Sequence, residues 1–365
     1  MYLTVRCVAL FAATLALTLC GTSAFGGWTV TYLNPAGSTS SYASGVSDGQ
    51  QVGSATFMGR RHAVVWNGAA ENFADLHPAA VEHSGAGAVC DGKQVGATQI
   101  GIEYHAALWY GTAESWVDLN PDGSSQSQAH GVSGSQQVGY ATVGRYHAAL
   151  WSGTADSFVD LNPSGAELSQ ARGVSAGSQV GSAWFGGYGH AAMWYGTAES
   201  FVDLHPVGSV QSSASATSQG EQAGWAQVGI FHHAALWHGT AESFVDLHPS
   251  AAVSSSVAGI SHGMQVGRVE VVSHTWHAAL WSGTPDSWID LHGMLGSHYV
   301  SSYATDVDVA DDGTWITGWA YNTLTGYDEA ILWHYVVPEP SSLLAFGVGG
   351  IGILGALRRR VRGKV

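Results

Sequence analysis

The stretch Arg145 to Pro163 reads RYHAALWSGTADSFVDLNP. It packs a histidine, a serine, a tryptophan and two aspartates into a short span, the raw material of a reaction centre. Its recurrence decides otherwise. His62, His105, His147, His190, His233 and His277 each open a His-Ala-Ala/Val-apolar-Trp run, at spacings of 42 to 44 residues. An Asp-Leu pair follows each run, at Asp75, Asp118, Asp160, Asp203, Asp246 and Asp290. A Val/Ala-Gly pair precedes each histidine, ending at Gly53, Gly96, Gly139, Gly181, Gly224 and Gly267. A divergent seventh copy holds Gly318 and the run Glu329–Trp333. Self-similarity at this period marks a repeat architecture.

Each copy contains four short apolar runs separated by turn residues. In the third copy they are Gly131–Ser133, Gln137–Thr142, His147–Trp151 and Ser157–Leu161. Such lengths and punctuation predict four antiparallel strands per repeat, the blade of a β-propeller. The seventh copy supplies three strands and then stops at Tyr335, whereas residues 28–35, WTVTYLNP, end in the Leu-Asn-Pro that follows the fourth strand of another copy. An N-terminal strand that completes the last blade would remove the open edge. The expected fold is therefore all-β, a seven-bladed propeller closed by its N-terminal strand. A β-solenoid would also repeat, but would not need this circular offset.

The repeat, His-Ala-Ala-Leu-Trp followed by Val-Asp-Leu over residues 41–335, resembles the HAF family of extracellular repeats. That resemblance implies location and architecture rather than an activity. The C-terminus carries a second one. Pro338-Glu339-Pro340 is followed by the apolar run Leu343–Leu357 and then by Arg358, Arg359, Arg360, Arg362 and Lys364. The order resembles a PEP-CTERM sorting tail, which implies handling by an exosortase-type membrane protease; an ordinary tail anchor is the alternative. As a short transmembrane helix the run would span about 22 Å at roughly 1.5 Å per residue, against a hydrocarbon core of roughly 30 Å. At the other end, Arg6, the apolar stretch Cys7–Leu19 and Thr22-Ser23-Ala24 read as a signal peptide for signal peptidase, with an N-terminal membrane anchor as the alternative. Leu19 before Cys20 argues against lipoprotein processing. The expected division is a signal peptide over 1–24, a propeller over 25–337 and a sorting tail over 338–365, in an exported protein of the cell envelope or extracellular space.

Residues 25–337 keep six basic and twenty-six acidic side chains, a net charge near −20, which disfavours nucleic acid and anionic lipid as partners. Cys90 is the sole cysteine of that span, so stability must come from packing rather than from an intrachain disulfide. Six copies of one His and one Asp, spread round a ring, cannot form one catalytic cluster; they read as scaffold, and no catalytic residue is expected. No cofactor or metal site is expected either. Asp306-x-Asp308-x-x-Asp311-Asp312-Gly313 misses the calcium-loop spacing and reads as a hairpin turn. His232-His233 and His274 with His277 offer two imidazoles each.

Function is expected on the loops between second and third strands, which vary in sequence and are rich in aromatics, while the third-to-fourth turns are monotonous. The candidate binding residues are Arg60, Arg61, Tyr104, Arg145, Tyr146, Trp184, Phe185, Tyr188, Phe231, His232, Trp276 and Tyr327. Aromatic faces at low entropy cost suit sugar rings or protein side chains. The expected role is a non-enzymatic binding or structural scaffold for polysaccharide or another surface component. The alternative is an extracellular propeller hydrolase or lyase acting on glycans, for which Glu82, Glu103, Glu270 and Asp328 are the carboxylates outside the repeat pattern.

Overall fold

The computed structural model describes residues 27–336, which form seven four-stranded antiparallel sheets. Blades one to six span Ser38–Asp75, His83–Asp118, Ser127–Asp160, Leu168–Asp203, Ser212–Asp246 and Ser254–Asp290. In each, the strands run from inner to outer in chain order. The seventh takes its inner, second and third strands from Tyr299–Ala310, Gly313–Asn322 and Tyr327–Val336, and its outer strand from Gly27–Tyr32. Six consecutive pairs, from Gly27 with Val336 to Tyr32 with Ile331, close the ring in the manner expected. Among the described residues no helix is long and apolar enough to cross a membrane; the signal-like segment, the Pro338-Glu339-Pro340 motif and the apolar tail lie outside the described residues.

The outer strands of blades two to six are shorter than expected. In the third blade the strand is Val159–Asp160, and Ala155–Ser157 form a 3-10 turn. The sequence dictates this. Ser157 Oγ accepts from the Ser152 amide at 2.7 Å and donates to the Thr154 carbonyl at 2.5 Å, while Gly153 takes φ of 88°, a value that other residues rarely adopt. The turn consumes residues that a longer strand would have used.

The core lies between blades. Trp66, Trp109, Trp151, Trp194, Trp237, Trp281 and Trp333 are all fully buried. Trp151 of blade three packs with Val95, Leu108 and Leu119 of blade two, and Trp66 of blade one packs with Ala330 and Leu332 of blade seven. The flanking alanines keep adjacent sheets close. The glycine before each histidine run serves a closer approach. A Cβ on Gly139 would stand 1.8 Å from the Gln128 carbonyl oxygen, so any side chain there forces the inner two strands apart.

The repeated polar residues fasten one blade to the next. His147 donates from Nδ1 to Asp160 Oδ2 at 2.7 Å, and Asp160 Oδ1 accepts from the Asn162 amide at 2.8 Å. Asn162 Oδ1 accepts from Ser169 Oγ at 2.7 Å, and Ser169 Oγ accepts from the Ala148 amide at 2.9 Å. Ser169 belongs to the inner strand of blade four, so the relay crosses the interface. All seven interfaces repeat the Ser–amide bond, and the last joins Ser41 to the Ala330 amide at 2.9 Å. Where a histidine replaces the asparagine it also stacks on the first histidine, as His205 does on His190 with ring centres 4.1 Å apart.

That arrangement favours one protonation state. The serine hydroxyl has one hydrogen, and donates it to Nδ1 of His77, His205, His248 or His292. That bond suits a neutral imidazole, and burial, helped by the neighbouring histidine, pushes each pKa below the usual 6.5. The unfolded chain takes up protons there that the folded ring refuses, so stability present above pH 6.5 is lost as pH falls. The melting temperature is expected to drop by several degrees between pH 7.5 and pH 5, and His205→Asn, which imitates the asparagine blades, should shrink the drop. An unchanged melting temperature would disprove the assignment.

The seam between blades seven and one has bonds of its own. Thr305 Oγ1 donates to the Ala43 carbonyl at 2.8 Å, while Asp306 and Asp308 accept from the Val46 and Asp48 amides at 3.0 and 2.9 Å. Asp306 and Asp308 thus belong to a strand and clamp the ring shut, and the hairpin turn read from the sequence falls at Asp311-Asp312, just before Gly313.

Candidate functional site

Each inner strand carries a β-bulge where its register shifts, after Ala43, Ala86, Ala129, Ala171, Ala214, Val257 and Ala304. The bulged residue lies against the central channel. In five blades it is small: Ser44, Gly87, Ser215, Ala258 and Thr305. In blades three and four it is His130 and Arg172. Seven equivalent bulges thus leave two large polar side chains, on neighbouring blades, inside one cavity of about 640 Å³.

His130 Nδ1 donates to the Ala171 carbonyl at 3.1 Å, which leaves Nε2 as an acceptor. Burial, with the Arg172 charge beside it, holds its pKa down to about 4. Arg172 is exposed to the channel solvent yet walled by protein, and that desolvation lowers its pKa; a guanidinium stays charged regardless. Asp306 lines the same cavity. Burial raises its carboxyl to about 7 against two backbone donors that favour the charged form. Its own linkage opposes that of the histidines, as does that of Asp308, whose carboxyl burial also raises.

The mouth of the channel lies on the side of the loops between second and third strands. There the residue after each core glycine varies: Ser54, Ala97, Tyr140, Ser182, Trp225, Arg268 and Trp319. Their inner-strand partners include Tyr42, Gln128 and Tyr303. On blades five, six, seven and one these positions carry an arc of aromatic and cationic side chains, and from blade six to blade one they are in contact. Trp225 stacks on His232 with centres 4.1 Å apart. The Arg268 guanidinium lies 4.4 Å from the Trp276 ring centre and 5.1 Å from that of Tyr303. Tyr303 stacks on Trp319 at 4.0 Å, and Trp319 meets the edge of Tyr42 at 5.4 Å. Tyr42 donates to Asp328 at 2.7 Å.

Of the residues expected from sequence, His232 and Trp276 join this arc. Tyr146 packs on Tyr140 at 4.7 Å, and Arg61 lies over Gly85, where blade two has no side chain at the mouth. Arg60, Arg145, Tyr188, Phe231 and Tyr327 are exposed on the same side, and Tyr104 and Trp184 are half-buried there. Phe185 departs from the expectation: it packs on His190 and Phe201, with centres 5.4 and 5.7 Å away, and belongs to its blade. Sequence reasoning passed over Tyr42, His130, Arg172, Trp225, Arg268, Tyr303 and Trp319, because all sit inside strands, and it read Asp306 as part of a turn. The variable residue after an otherwise regular glycine was the available signal. Two of the suspected carboxylates are engaged in loops: Glu82 accepts from the Gly101 amide at 3.0 Å and Glu270 from the His274 amide at 2.7 Å.

Comparison with known proteins bears on two regions. Residues 336–360 match the PEP-CTERM protein-sorting motif, which marks an exported, envelope-associated chain processed by an exosortase. The propeller is similar to that of the trilobed protease of Pyrococcus furiosus, described as having an open velcro topology, at 10% identity and a TM-score of 0.51 over 80% of this chain and 95% of that one. It is also similar to a puromycin-hydrolysing peptidase of Mycobacterium tuberculosis, at 13% identity and a TM-score of 0.51 over 84% and 56%. TolB of Acinetobacter baumannii matches at 10% identity and a TM-score of 0.45, and this chain spans 64% of its length. At such identities the likeness is one of fold. No curated protein matches the chain in sequence.

Proposed function

We propose that this exported propeller is a non-enzymatic binding scaffold that holds envelope or extracellular polysaccharide at the mouth of its channel. The observation that carries the reading is the arc Trp225, Arg268, Trp276, Tyr303, Trp319 and Tyr42, assembled from four blades on one side of the ring. The resemblance of the repeat to extracellular HAF repeats supports the same location. Asp306 is the sole carboxylate among the described residues lining the cavity, and glycoside hydrolysis ordinarily needs two facing carboxylates, which favours binding over hydrolysis.

On a glycan array the protein is expected to retain a restricted set of polysaccharides. Trp319→Ala and Trp225→Ala should each weaken that retention by about thirtyfold, the scale of losing an aromatic anchor worth ~2 kcal/mol. Tyr195→Ala is the control, since Tyr195 is 57% exposed on the opposite side, beside a third-to-fourth turn. Retention that survives both tryptophan variants, or that Tyr195→Ala abolishes, would refute the assignment. Release of reducing ends from a retained polysaccharide would establish the enzymatic alternative.

A further inference from the structure

The cations are unevenly placed on the two sides of the ring, whereas carboxylates lie on both. Ten carboxylates, from Asp48 to Asp312, occupy the first-to-second and third-to-fourth turns, and Glu221 and the one cation of that side, Lys93, open the strands that follow. The other five cations of the described chain lie on the opposite side or in the channel: Arg60, Arg61, Arg145, Arg172 and Arg268. Among the described residues, no arginine or lysine stands within 4.0 Å of a carboxylate oxygen; the ion pairs at that distance are all made by histidine.

Arg172 and Arg268 are the two that line the cavity. Arg172 is walled by protein, and its one side-chain partner is Gln170 Oε1 at 3.5 Å, a neutral acceptor at the limit of a hydrogen bond. Arg268 is held flat by Trp276 and Tyr303, donates from Nε to Ser256 Oγ at 3.3 Å and lies beside the Tyr303 hydroxyl, with no carboxylate partner among the described residues. A planar guanidinium edge matches a carboxylate with two parallel hydrogen bonds. The aromatic rings beside it offer faces for the ring that carries the carboxylate. Deeper in, neutral His130 presents Nε2 as an acceptor for a hydroxyl.

We infer that the channel mouth selects a carboxylate-bearing saccharide, a uronate chain or chain end, with Arg268 and Arg172 as the cations that hold its carboxylates. This rests on the glycan-binding reading above and names the class of glycan.

The test compares oligogalacturonate with neutral galacto-oligosaccharide, by calorimetry on the full-length protein. Oligogalacturonate is expected to bind at least about tenfold more tightly, and the advantage should fade at high salt, as screening requires. Arg172→Gln and Arg268→Gln should each weaken oligogalacturonate about tenfold, the scale of one lost charge-assisted hydrogen bond, and reduce its advantage over the neutral sugar. Arg172→Lys and Arg268→Lys should recover part of the loss, which separates a missing charge from a damaged fold. Lys93→Gln, on the far side, should change nothing. Equal affinity for the two sugars, or full oligogalacturonate binding in both glutamine variants, overturns the inference while leaving a glycan-binding mouth in place. Failure of both sugars to bind overturns the inference and counts against that reading as well.

Discussion

Deletion of residues 27–34 is expected to destabilise the whole ring, and by more than any single core truncation. The segment supplies the outer strand of the seventh blade and buries Leu33 completely. It also packs Trp28 and Val30 against the cluster around Trp333 and gives Asn34, which accepts from Ser41 Oγ at 2.8 Å. Losing a buried leucine alone costs about 2–5 kcal/mol. Here that loss is joined by six residue pairs of strand contact and by one of the seven interblade relays. An exposed third strand would also offer its free edge to other chains. The deleted protein should unfold in urea at a markedly lower midpoint and associate at high concentration. A midpoint equal to the parent's would show that the ring does not depend on its closing strand.

The second large effect is expected at Ser169 rather than at the histidine that first draws the eye. Ser169 is fully buried, and its hydroxyl serves two partners across the interface, Asn162 and the Ala148 amide. Ser169→Ala leaves both without a bond, at about 1–3 kcal/mol for each stranded buried group. His147 is partly solvated, and its side chain keeps 19% of its surface exposed. His147→Ala lets water reach Asp160 and should cost less. Ser182 is an internal control: it is just as buried, yet its hydroxyl has no partner. Ser182→Ala should be neutral or stabilising, by up to ~1 kcal/mol. The three variants, ranked by urea midpoint, must fall in the order Ser169→Ala lowest, then His147→Ala, then Ser182→Ala. A reversed order would mean that the interface relay is not what holds adjacent blades together.

Much of the architecture was legible because a blade repeats its hydrophobic spacing and its turns. The His-to-Trp and Asp-Leu marks placed the third strands and the ends of the outer ones, and the Leu-Asn-Pro of residues 33–35 revealed where the missing strand had gone. The partners of the polar marks were not legible. His147 and Ser169 lie in different blades, and a period records what recurs along the chain, not which copy touches which. The glutamines show the same blindness. Gln137 looks like an ordinary strand residue, yet it bonds the Ser135 carbonyl at 2.9 Å and the Gly153 amide at 2.7 Å, tying two turns of one blade together. The channel was hidden for a different reason. A bulge inserts one residue without disturbing the apolar alternation on either side, so Arg172 reads as an interruption in a strand, and its placement depends on the closed ring.

The split blade also sets a timetable. Thr29 and His334, neighbours across the closing pair of strands, are 305 positions apart, and the sorting motif begins at residue 336, where the third strand of that blade ends. The first strand to be made and exported therefore waits for the last. Six blades can form in order from local hairpins, each contact short in sequence, before the remaining long loop is closed at its entropic cost. Until then Trp28, Val30 and Leu33 have no home. Completion of the ring and the sorting motif thus fall at the same stretch of chain.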